Sequence, residues 1–542
     1  MQNNKIFTFK FYIMKNTKLF LIVAILASML WSCKDSARDL TNAIPADAIL
    51  VMQLDTKALL QKADYKPLDN PMLKAMFEEA KASAGDAKMK TLLEDFLKNP
   101  NKASGIGLLG DWFIYLDANT VGVLMRMNNV KKFQKMLTEQ MEIPAEMLME
   151  ENGVTYFDTG DGVVGWTKTK LLFLTNNPNQ VYNYRNPIDL TGTLVSQLTQ
   201  NEGINANRGF AKFLKDKKDI SLFYPYDNIA GLVANNPAYE ELGIGEMITS
   251  LYEKIGEQFK GVSAGFFISF EKGSIEASND FYYATSEAEK KLTAMTQQTT
   301  LELKGEQLKL FAEKPIFLMS FGIKGAGMYD YLADLGLIEM IEDMGGEELE
   351  QMGIDLKSLI SNIEGDLTFA VDYSAEMPEI TLIADLNDAQ AMLDLIIKQV
   401  GDMLSIEKVS DNNSYVVSLD GLEAYLGVKN NTLYMTNSAA VYANVNNENK
   451  AKNDFAKMAR GKTSLAFGNL SPLRELVFAF VPLDREGSAL INEGFGLLGD
   501  YHYVTKKDMS GEGKIVINNK RNSLAAIVSY IESVALYAMQ NF

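Results

Sequence analysis

The sequence predicts an α+β protein built from two homologous halves, each with mainly antiparallel sheets packed by helices. Three observations support this prediction. Strand-like segments occur in pairs joined by short turns, amphipathic helices follow them, and similar segments recur in the same order along the 542-residue chain. Because a chain of this length exceeds one ordinary hydrophobic core, at least two domains are expected.

The recurrence is clearest where short stretches are identical. Phe-Ala-Lys occurs at 210–212 and again at 455–457, and in each case Ser-Leu follows, at 221–222 and 464–465, with apolar helix positions after it. The order of the surrounding segments is kept although overall identity is low. This pattern predicts a first half over residues 44–306 and a second half over residues 307–542.

The strand pairs and helices have separate signals. Asp-Gly dipeptides at 161–162 and 420–421 stand between strand-like runs, which predicts β-hairpins in which the glycine supplies a positive φ. Helical segments carry apolar residues at i, i+3, i+4 and i+7, as in Leu393, Ile396, Ile397 and Val400. Short strand connections with helices on a sheet face are typical of α+β folds and not of doubly wound ones.

Residues 1–32 have the pattern of a secretory signal, with Met14 as an alternative start. Lys15 and Lys18 form a basic region, and the mainly apolar run 19–30 follows them. That run is shorter than the roughly 20 residues that a membrane-spanning helix needs, so a cleaved signal peptide is predicted.

Leu30-Trp31-Ser32-Cys33 ends this signal and resembles the lipobox of bacterial lipoproteins. The resemblance implies a diacylglycerol thioether on Cys33, cleavage before it, acylation with palmitate-like chains and stable membrane anchoring. Cys33 is the only cysteine, which excludes an internal disulfide and cysteine-based zinc or iron–sulfur sites. The alternative is an incidental cysteine after an ordinary signal peptide.

Residues 33–43 form a short polar tether. Lys34, rather than aspartate, follows the cysteine, which by resemblance to lipoprotein sorting signals implies the outer membrane. An acidic cluster of the kind that directs Bacteroidetes lipoproteins to the cell surface is matched only in part by Asp35. Attachment at the periplasmic face and at the cell surface therefore both stay open.

The charge balance excludes several partners. The formal net charge is −18, and taking the four lysines of the signal from 52 basic residues leaves 48 against 70 acidic ones, a net charge of −22. No basic stripe offsets it, so neither nucleic acid nor anionic lipid is expected as a partner.

The sequence contains a single histidine, His502, which lies in a strand-like run, and a structural role is predicted for it. A chain with one histidine can form few of the metal sites that use histidine ligands.

The pattern G-x-G-x-x-G occurs at 105–110 and 494–499. A dinucleotide site needs a strand before this pattern and a helix after it, whereas strand-like runs follow both copies here. Nucleotide binding is therefore rejected, and no cofactor and no metal are predicted.

Two sets of side chains have both a functional and a structural interpretation. Asp111, Asp366 and Asp500 recur after glycine, either as carboxylates for acid–base or cation chemistry or as strand-start residues that accept local backbone hydrogen bonds. The recurrence favours the structural role. Trp112 and Trp166 are either a sugar-binding platform or core residues, and the core is favoured.

The segment "IPADAILVMQLDTKALLQKA" from Ile44, together with the repeated Gly-Asp strands, resembles a family of large uncharacterised Bacteroidetes lipoproteins with a domain of unknown function. The resemblance implies an envelope lipoprotein and carries over no catalytic residues. We expect a non-enzymatic binding or scaffold protein whose partner is an envelope protein or glycan, with its oligomeric state open. The alternative is an envelope hydrolase with two carboxylates roughly 5–10 Å apart in a cleft, acting on glycan.

Overall fold

A computed structural model describes most of the chain from residue 38 onward. Residues 38–43, predicted as the end of a polar tether, belong to the folded chain instead: 38–41 are helical, and Leu40 and Ala43 are buried, because apolar side chains within this stretch pack into the core. The described residues are 38–64, 91, 94–95, 100–177, 188–232, 245–311, 314–343, 355–373, 377–401, 404–409, 413–419, 422–446, 453–480 and 484–541. Cys33 and the predicted signal peptide lie outside them. The described residues fall into two compact units, within 1–51 and 85–211 and within 52–84 and 212–542.

Twenty strands are present in the described residues. In chain order they are β1 (Leu50–Asp55), β2 (Asp111–Leu116), β3 (Thr120–Arg126), β4 (Met149–Glu151), β5 (Val154–Asp158), β6 (Val163–Trp166), β7 (Lys170–Asn176), β8 (Ile220–Pro225), β9 (Val262–Glu271), β10 (Ser274–Tyr283), β11 (Phe317–Lys324), β12 (Ile363–Tyr373), β13 (Pro378–Leu386), β14 (Ser405–Val409), β15 (Ser414–Leu419), β16 (Leu422–Lys429), β17 (Thr432–Thr436), β18 (Ser464–Asn469), β19 (Leu498–Thr505) and β20 (Gly511–Ile517).

Most of the helices lie between these strands, and one follows the last strand. They are α1 (Thr56–Lys62), α2 (Pro100–Ser104), α3 (Val130–Lys135), α4 (Leu190–Thr199), α5 (Arg208–Asp216), α6 (Gly245–Gln258), α7 (Ser286–Thr299), α8 (Gly325–Asp334), α9 (Leu356–Ser361), α10 (Ala389–Gly401), α11 (Ala439–Asn446), α12 (Phe455–Ala459), α13 (Leu473–Phe480), α14 (Arg485–Leu497) and α15 (Ser523–Asn541). Within the described residues no helix combines the length and apolar character needed to cross a membrane.

The first unit contains an antiparallel array in the order β2-β3-β7-β6-β5-β4. Its β5–β6 connection is the hairpin predicted from Asp161-Gly162, and Thr159 N–H donates to the Gly162 carbonyl at 2.9 Å. The positive φ in this turn, 90°, belongs to Gly160 and not to Gly162. The hairpin was therefore predicted correctly but the residue that allows it was not.

The core of this array is aromatic. Trp166 is 1% exposed and packs edge-on against Phe133 of α3, with ring centroids 5.0 Å apart, and against Phe157 of β5, with centroids 6.3 Å apart. The prediction that Trp166 is a core residue is confirmed. Trp112 is half-buried, and its indole N–H donates to the Leu108 carbonyl at 3.1 Å.

The second unit contains a longer antiparallel array in the order β8-β9-β10-β20-β19-β18-β11-β12-β13-β17-β16-β15-β14. Short turns join many of the neighbours, as at Gly273, whose φ of 72° suits the tight turn between β9 and β10. The predicted hairpin at 420–421 joins the paired strands β15 and β16, and its two turn residues lie outside the described residues.

Helix ends in this unit are set by polar caps. Thr285 accepts a hydrogen bond from Ala288 N–H at the start of α7, and Asp484 does the same for Gly487 N–H at the start of α14.

One face of the array carries a core of buried residues from strands β11, β12, β13, β17, β18 and β19 with α11 and α12. Antiparallel sheets packed by helices confirm the predicted α+β class.

Strand order recurs between the two parts of the chain. The six-strand order of the first unit, β2-β3-β7-β6-β5-β4, matches β12-β13-β17-β16-β15-β14 of the second, and β8-β9-β10 matches β18-β19-β20. The compact units divide the chain at other points than the predicted halves, because one division follows contacts and the other follows repeated sequence. The homologous halves stay a prediction.

Candidate functional site

A cavity of about 480 Å³ lies over the pairing of β10 with β20 in the second unit, and we call it the central cleft. Its floor consists of two rows of side chains across four neighbouring strands, defined by the strand register. One row is Ser269, Glu276, Lys514 and His502, and the other is Phe267, Ser278, Glu512 and Val504. The floor of the central cleft therefore combines polar, charged and apolar side chains.

The walls of the central cleft come from matching positions in the repeated strand order. Lys218 lies two residues before β8, and Lys462 lies two residues before β18. Met458 of α12 completes this wall, and α12 begins at the second Phe-Ala-Lys stretch. Two turns at matching positions of the strand order thus each supply one lysine to the same cavity.

Charge in the central cleft is locally positive although the whole chain is acidic. Glu512 accepts from Lys462 Nζ at 3.3 Å and from Lys506 Nζ at 3.1 Å, and these two lysines hold the pKa of its carboxyl below the usual value. Among the described residues, no carboxylate forms an ion pair with the Nζ of Lys218 or Lys514. These two ammonium groups are available to an anion.

His502 lies on the floor beside Lys514. Partial burial is the main cause that lowers the pKa of its imidazole below 6.5, and the charge of Lys514 adds to it, while Asp500 and Glu512 act in the opposite direction. At neutral pH the ring is therefore uncharged and offers one donor and one acceptor. The strand position of His502 agrees with the prediction, but the residue lines a cavity.

The three recurrent aspartates have different surroundings. Asp111 is the first residue of β2, as predicted for a strand start. Asp500 lies within β19 and forms an ion pair with Lys314. Asp366 lies inside β12 and is fully buried. The sequence thus identified three similar positions that the structure does not bring together into one site.

Asp366 accepts hydrogen bonds from distant backbone groups. Its two carboxylate oxygens accept from Lys304 N–H at 2.9 Å and from Gly305 N–H at 2.7 Å. Burial is the main cause that raises the pKa of this carboxyl, opposed by these two hydrogen bonds. The predicted structural role fits this geometry, but the expectation of local backbone partners was wrong, because the partners lie 62 and 61 residues away.

The glycine patterns do not form nucleotide sites. A short helix, α2, precedes 105–110, and β2 follows it. The second copy, 494–499, runs from the end of α14 into β19. Neither has the strand–turn–helix order that a dinucleotide fingerprint requires. No group of three or more metal-ligating side chains occurs in the part of the chain that the structure describes.

Sequence reasoning missed the lysines of the central cleft. Lys218 and Lys462 are single residues in polar turns, and nothing local marks them. A usable signal was present in the recurring Phe-Ala-Lys stretch, because each lysine follows a helix that contains this stretch and precedes the next strand. Only the pairing of β10 with β20 brings the two turns to one cavity.

Comparisons with known proteins identify a family. The domain described as "Domain of unknown function (DUF4836)" matches residues 40–476. The match covers most of the chain, so the chain belongs to this family. No curated protein matches it.

One solved structure, "Structure of crystal form I of TP0453", is similar at 9% sequence identity. The match covers 74% of this chain and 94% of that chain, with a TM-score of 0.18. A TM-score this low carries no argument about fold or function.

Proposed function

We propose that this protein is a lipid-anchored lipoprotein of the outer membrane, of the Bacteroidetes type, that binds an anionic envelope component without chemical turnover. The signal sequence, the lipobox ending at Cys33 and Lys34 support the anchor and its membrane. The repeated strand order supports an origin of the two halves by internal duplication. The central cleft supports the binding function.

The observation that carries the binding function is the pair of equivalent lysines. Lys218 and Lys462 reach one cavity from matching turns, and Lys514 adds a third ammonium group on the floor. Lysine ammonium groups with a neutral imidazole beside them suit a phosphate or carboxylate group. Phe267 and Val504 lie in the floor but are buried, so the groups that the cleft presents to a ligand are mainly polar and charged.

The geometry favours binding over nucleophilic catalysis. Ser278 on β10 and His502 on β19 are separated by β20, which places them roughly 10 Å apart at ordinary strand spacing. A serine nucleophile needs its base within hydrogen-bond reach, about 3 Å. The cleft therefore holds a serine and a histidine that do not form a catalytic pair.

The hydrolase alternative requires a carboxyl group that stays protonated near its substrate. Among the described carboxyl groups, Asp366 is the one whose pKa is raised, and both of its oxygens accept backbone N–H bonds. A fully buried carboxylate with both oxygens occupied cannot reach a glycosidic oxygen. The non-enzymatic function is therefore the better supported of the two.

Binding is tested by isothermal titration of the purified chain with pyrophosphate and, separately, with succinate. We expect saturable binding of at least one, an affinity that falls as salt is added, and at least a tenfold weaker affinity for Lys218→Met/Lys462→Met. The matched control is Lys260→Met/Lys290→Met, which removes the same charge outside the cleft. Absence of binding for both anions, or equal affinity in the two double variants, would contradict the proposal.

Anchoring is tested by metabolic labelling with palmitate. The wild-type chain should incorporate the label and Cys33→Ala should not. Equal labelling of the two proteins would show that Cys33 is an incidental residue. The labelling experiment tests lipid anchoring alone, and anion binding is tested separately by the isothermal titration.

A further inference from the structure

The strands of the second unit carry apolar side chains on both faces of the sheet. Strand β11 shows the pattern, because Leu318 and Ser320 are fully buried on the side of the core. Phe317 and Met319, on the opposite side, are half-buried, and Phe321 is exposed. A sheet face that meets only solvent normally alternates to polar side chains, so apolar residues at these positions indicate a partner that covers them.

The strand register places the same kind of side chain on the neighbouring strands. Met319 pairs with Phe369 of β12, and the row continues through Leu382 of β13 to Met435 of β17. On the other side it continues through β18, β19, β20 and β10 to β9. Directly paired residues of antiparallel strands lie on one face. We call it the open sheet face, and its large side chains with 36–50% exposure are Phe266, Ile268, Phe321, Phe369, Ile380, Met435 and Ile515.

The open sheet face carries no charged side chain at the positions that the registers of these described strands define. The whole chain, in contrast, has a formal net charge of −18. Protein segments that lie on a membrane surface usually place lysine and arginine beside their apolar side chains. An uncharged face therefore favours an apolar protein surface over a lipid surface.

The exposed area is that of a protein interface. A whole large apolar side chain has roughly 150–250 Å² of surface, so the seven exposed side chains leave on the order of 500 Å² open to solvent. Half-buried members such as Met319 and Tyr503 bring the open area towards about 800 Å², which is one partner's share of a standard interface. The largest apolar patch of a typical monomer is smaller, about 300–600 Å².

One part of the open sheet face is low. Tyr501 pairs with Gly468, and Tyr503 pairs with Gly513. A Cβ on Gly468 would lie 2.1 Å from the ring of Tyr501, and one on Gly513 would lie 2.4 Å from the ring of Tyr503. The two rings therefore lie against the glycines, which keeps the surface over β18, β19 and β20 flat.

The adjoining part, on β11, β12 and β13, is raised. The rings of Phe317 and Phe369 pack edge-on with centroids 6.3 Å apart, and Phe321 and Ile380 lie on the same face. A two-fold axis between the two parts places the raised part of each copy over the low part of the other. Such self-complementarity is what a two-fold symmetric interface requires.

We propose that the open sheet face is the interface of a symmetric homodimer of this chain, with the two sheets packed face to face. Lys514 and His502 of the central cleft alternate along their strands with Gly513 and Tyr503, so the cleft lies on the opposite face of the sheet. The dimer therefore leaves the central cleft open, and it depends neither on the lipid anchor nor on the anion proposed above.

The test is sedimentation equilibrium of a chain that begins at Lys34, which keeps every described residue and lacks the predicted signal peptide and Cys33. We expect a monomer–dimer equilibrium with a micromolar dissociation constant. Phe369→Glu should weaken association at least tenfold, because the dimer would bury two carboxylates without partners. The matched control is Ile531→Glu, at a side chain 58% exposed on α15 and outside the open sheet face, which should leave association unchanged.

Three results would overturn the proposal: a monomer at every concentration up to the solubility limit, unchanged association of a folded Phe369→Glu variant, or equal weakening by Ile531→Glu. Circular dichroism shows whether Phe369→Glu folds. If it does not, Ile380→Glu, at a side chain 50% exposed, takes its place under the same criteria. A monomer that floats with phosphatidylcholine vesicles would assign the face to lipid and equally overturn the dimer.

Discussion

The central cleft can be compared with a second cavity of about 480 Å³ in the second unit, the polar cleft, which is formed by the segment 304–310 and the adjoining ends of β13 and β17. The two have similar volumes but differ in how their charged groups are held. Asp385, which lines the polar cleft, and Asp366, which is buried beside it, are bound by donors from several segments. In the central cleft, Lys218 and Lys514 have no ion-pair partner among the described residues. From this difference we infer that the carboxylates with several hydrogen-bond donors maintain the fold. The lysines of the central cleft without an ion-pair partner among the described residues are available to a ligand.

Among the substitutions that test this comparison, Asp366→Ala is expected to have the largest effect on stability. Replacing it by alanine removes the acceptor of two backbone N–H groups, and leaving such groups unsatisfied costs about 1–3 kcal/mol each. We expect Asp366→Ala to lower the free energy of unfolding by about 3 kcal/mol. Denaturant unfolding followed by circular dichroism measures it, and a loss near zero would contradict the assigned role.

A smaller loss is expected at Thr432. Its hydroxyl donates to Asp385 at 2.8 Å, and a hydrogen bond to a charged group contributes about 1.5 kcal/mol. Thr432→Val keeps the shape and removes the donor, so unfolding should become easier by about that amount. Thr193→Val, at an exposed hydroxyl on α4, serves as the control and should change stability less.

Lys304, at the solvent-exposed end of the hydrogen-bond network around Asp385, should contribute less to stability than Thr432 does. Lys304 is 59% exposed and pairs with Asp385 at 3.1 Å, and solvent screens such pairs to about 0–1 kcal/mol. Lys304→Met should therefore lower stability by less than Thr432→Val does. A larger loss would show that the rim of the polar cleft is as structural as its wall.

The smallest effect is expected from His502 in the central cleft. Its folded pKa lies below the usual 6.5, so the unfolded chain binds the proton more tightly. Its contribution to stability is therefore complete above pH 6.5 and is lost as pH falls towards the lowered pKa. Thermal unfolding of wild type and His502→Gln between pH 5 and 7.5 should show a shallower pH dependence for the variant; parallel curves would contradict the shift.

Much of the architecture could be predicted from sequence because its signals are local. Paired strands with turn residues, as at 159–162, and helices with spaced apolar residues indicated the α+β class. The role of Asp366 could not be predicted fully, since its partners are 61 and 62 residues distant. The central cleft was missed for the same reason, because only the pairing of β10 with β20 assembles it.

The family assignment leaves the binding function to be decided at the central cleft. His502, the only histidine, reports on it directly, because selective ring labelling gives a single NMR signal. Saturating pyrophosphate or succinate should raise the pKa of His502, since an anion nearby stabilises the imidazolium. The rise should vanish in Lys218→Met/Lys462→Met; an unchanged pKa in wild type, or an equal rise in the variant, would contradict anion binding at this site.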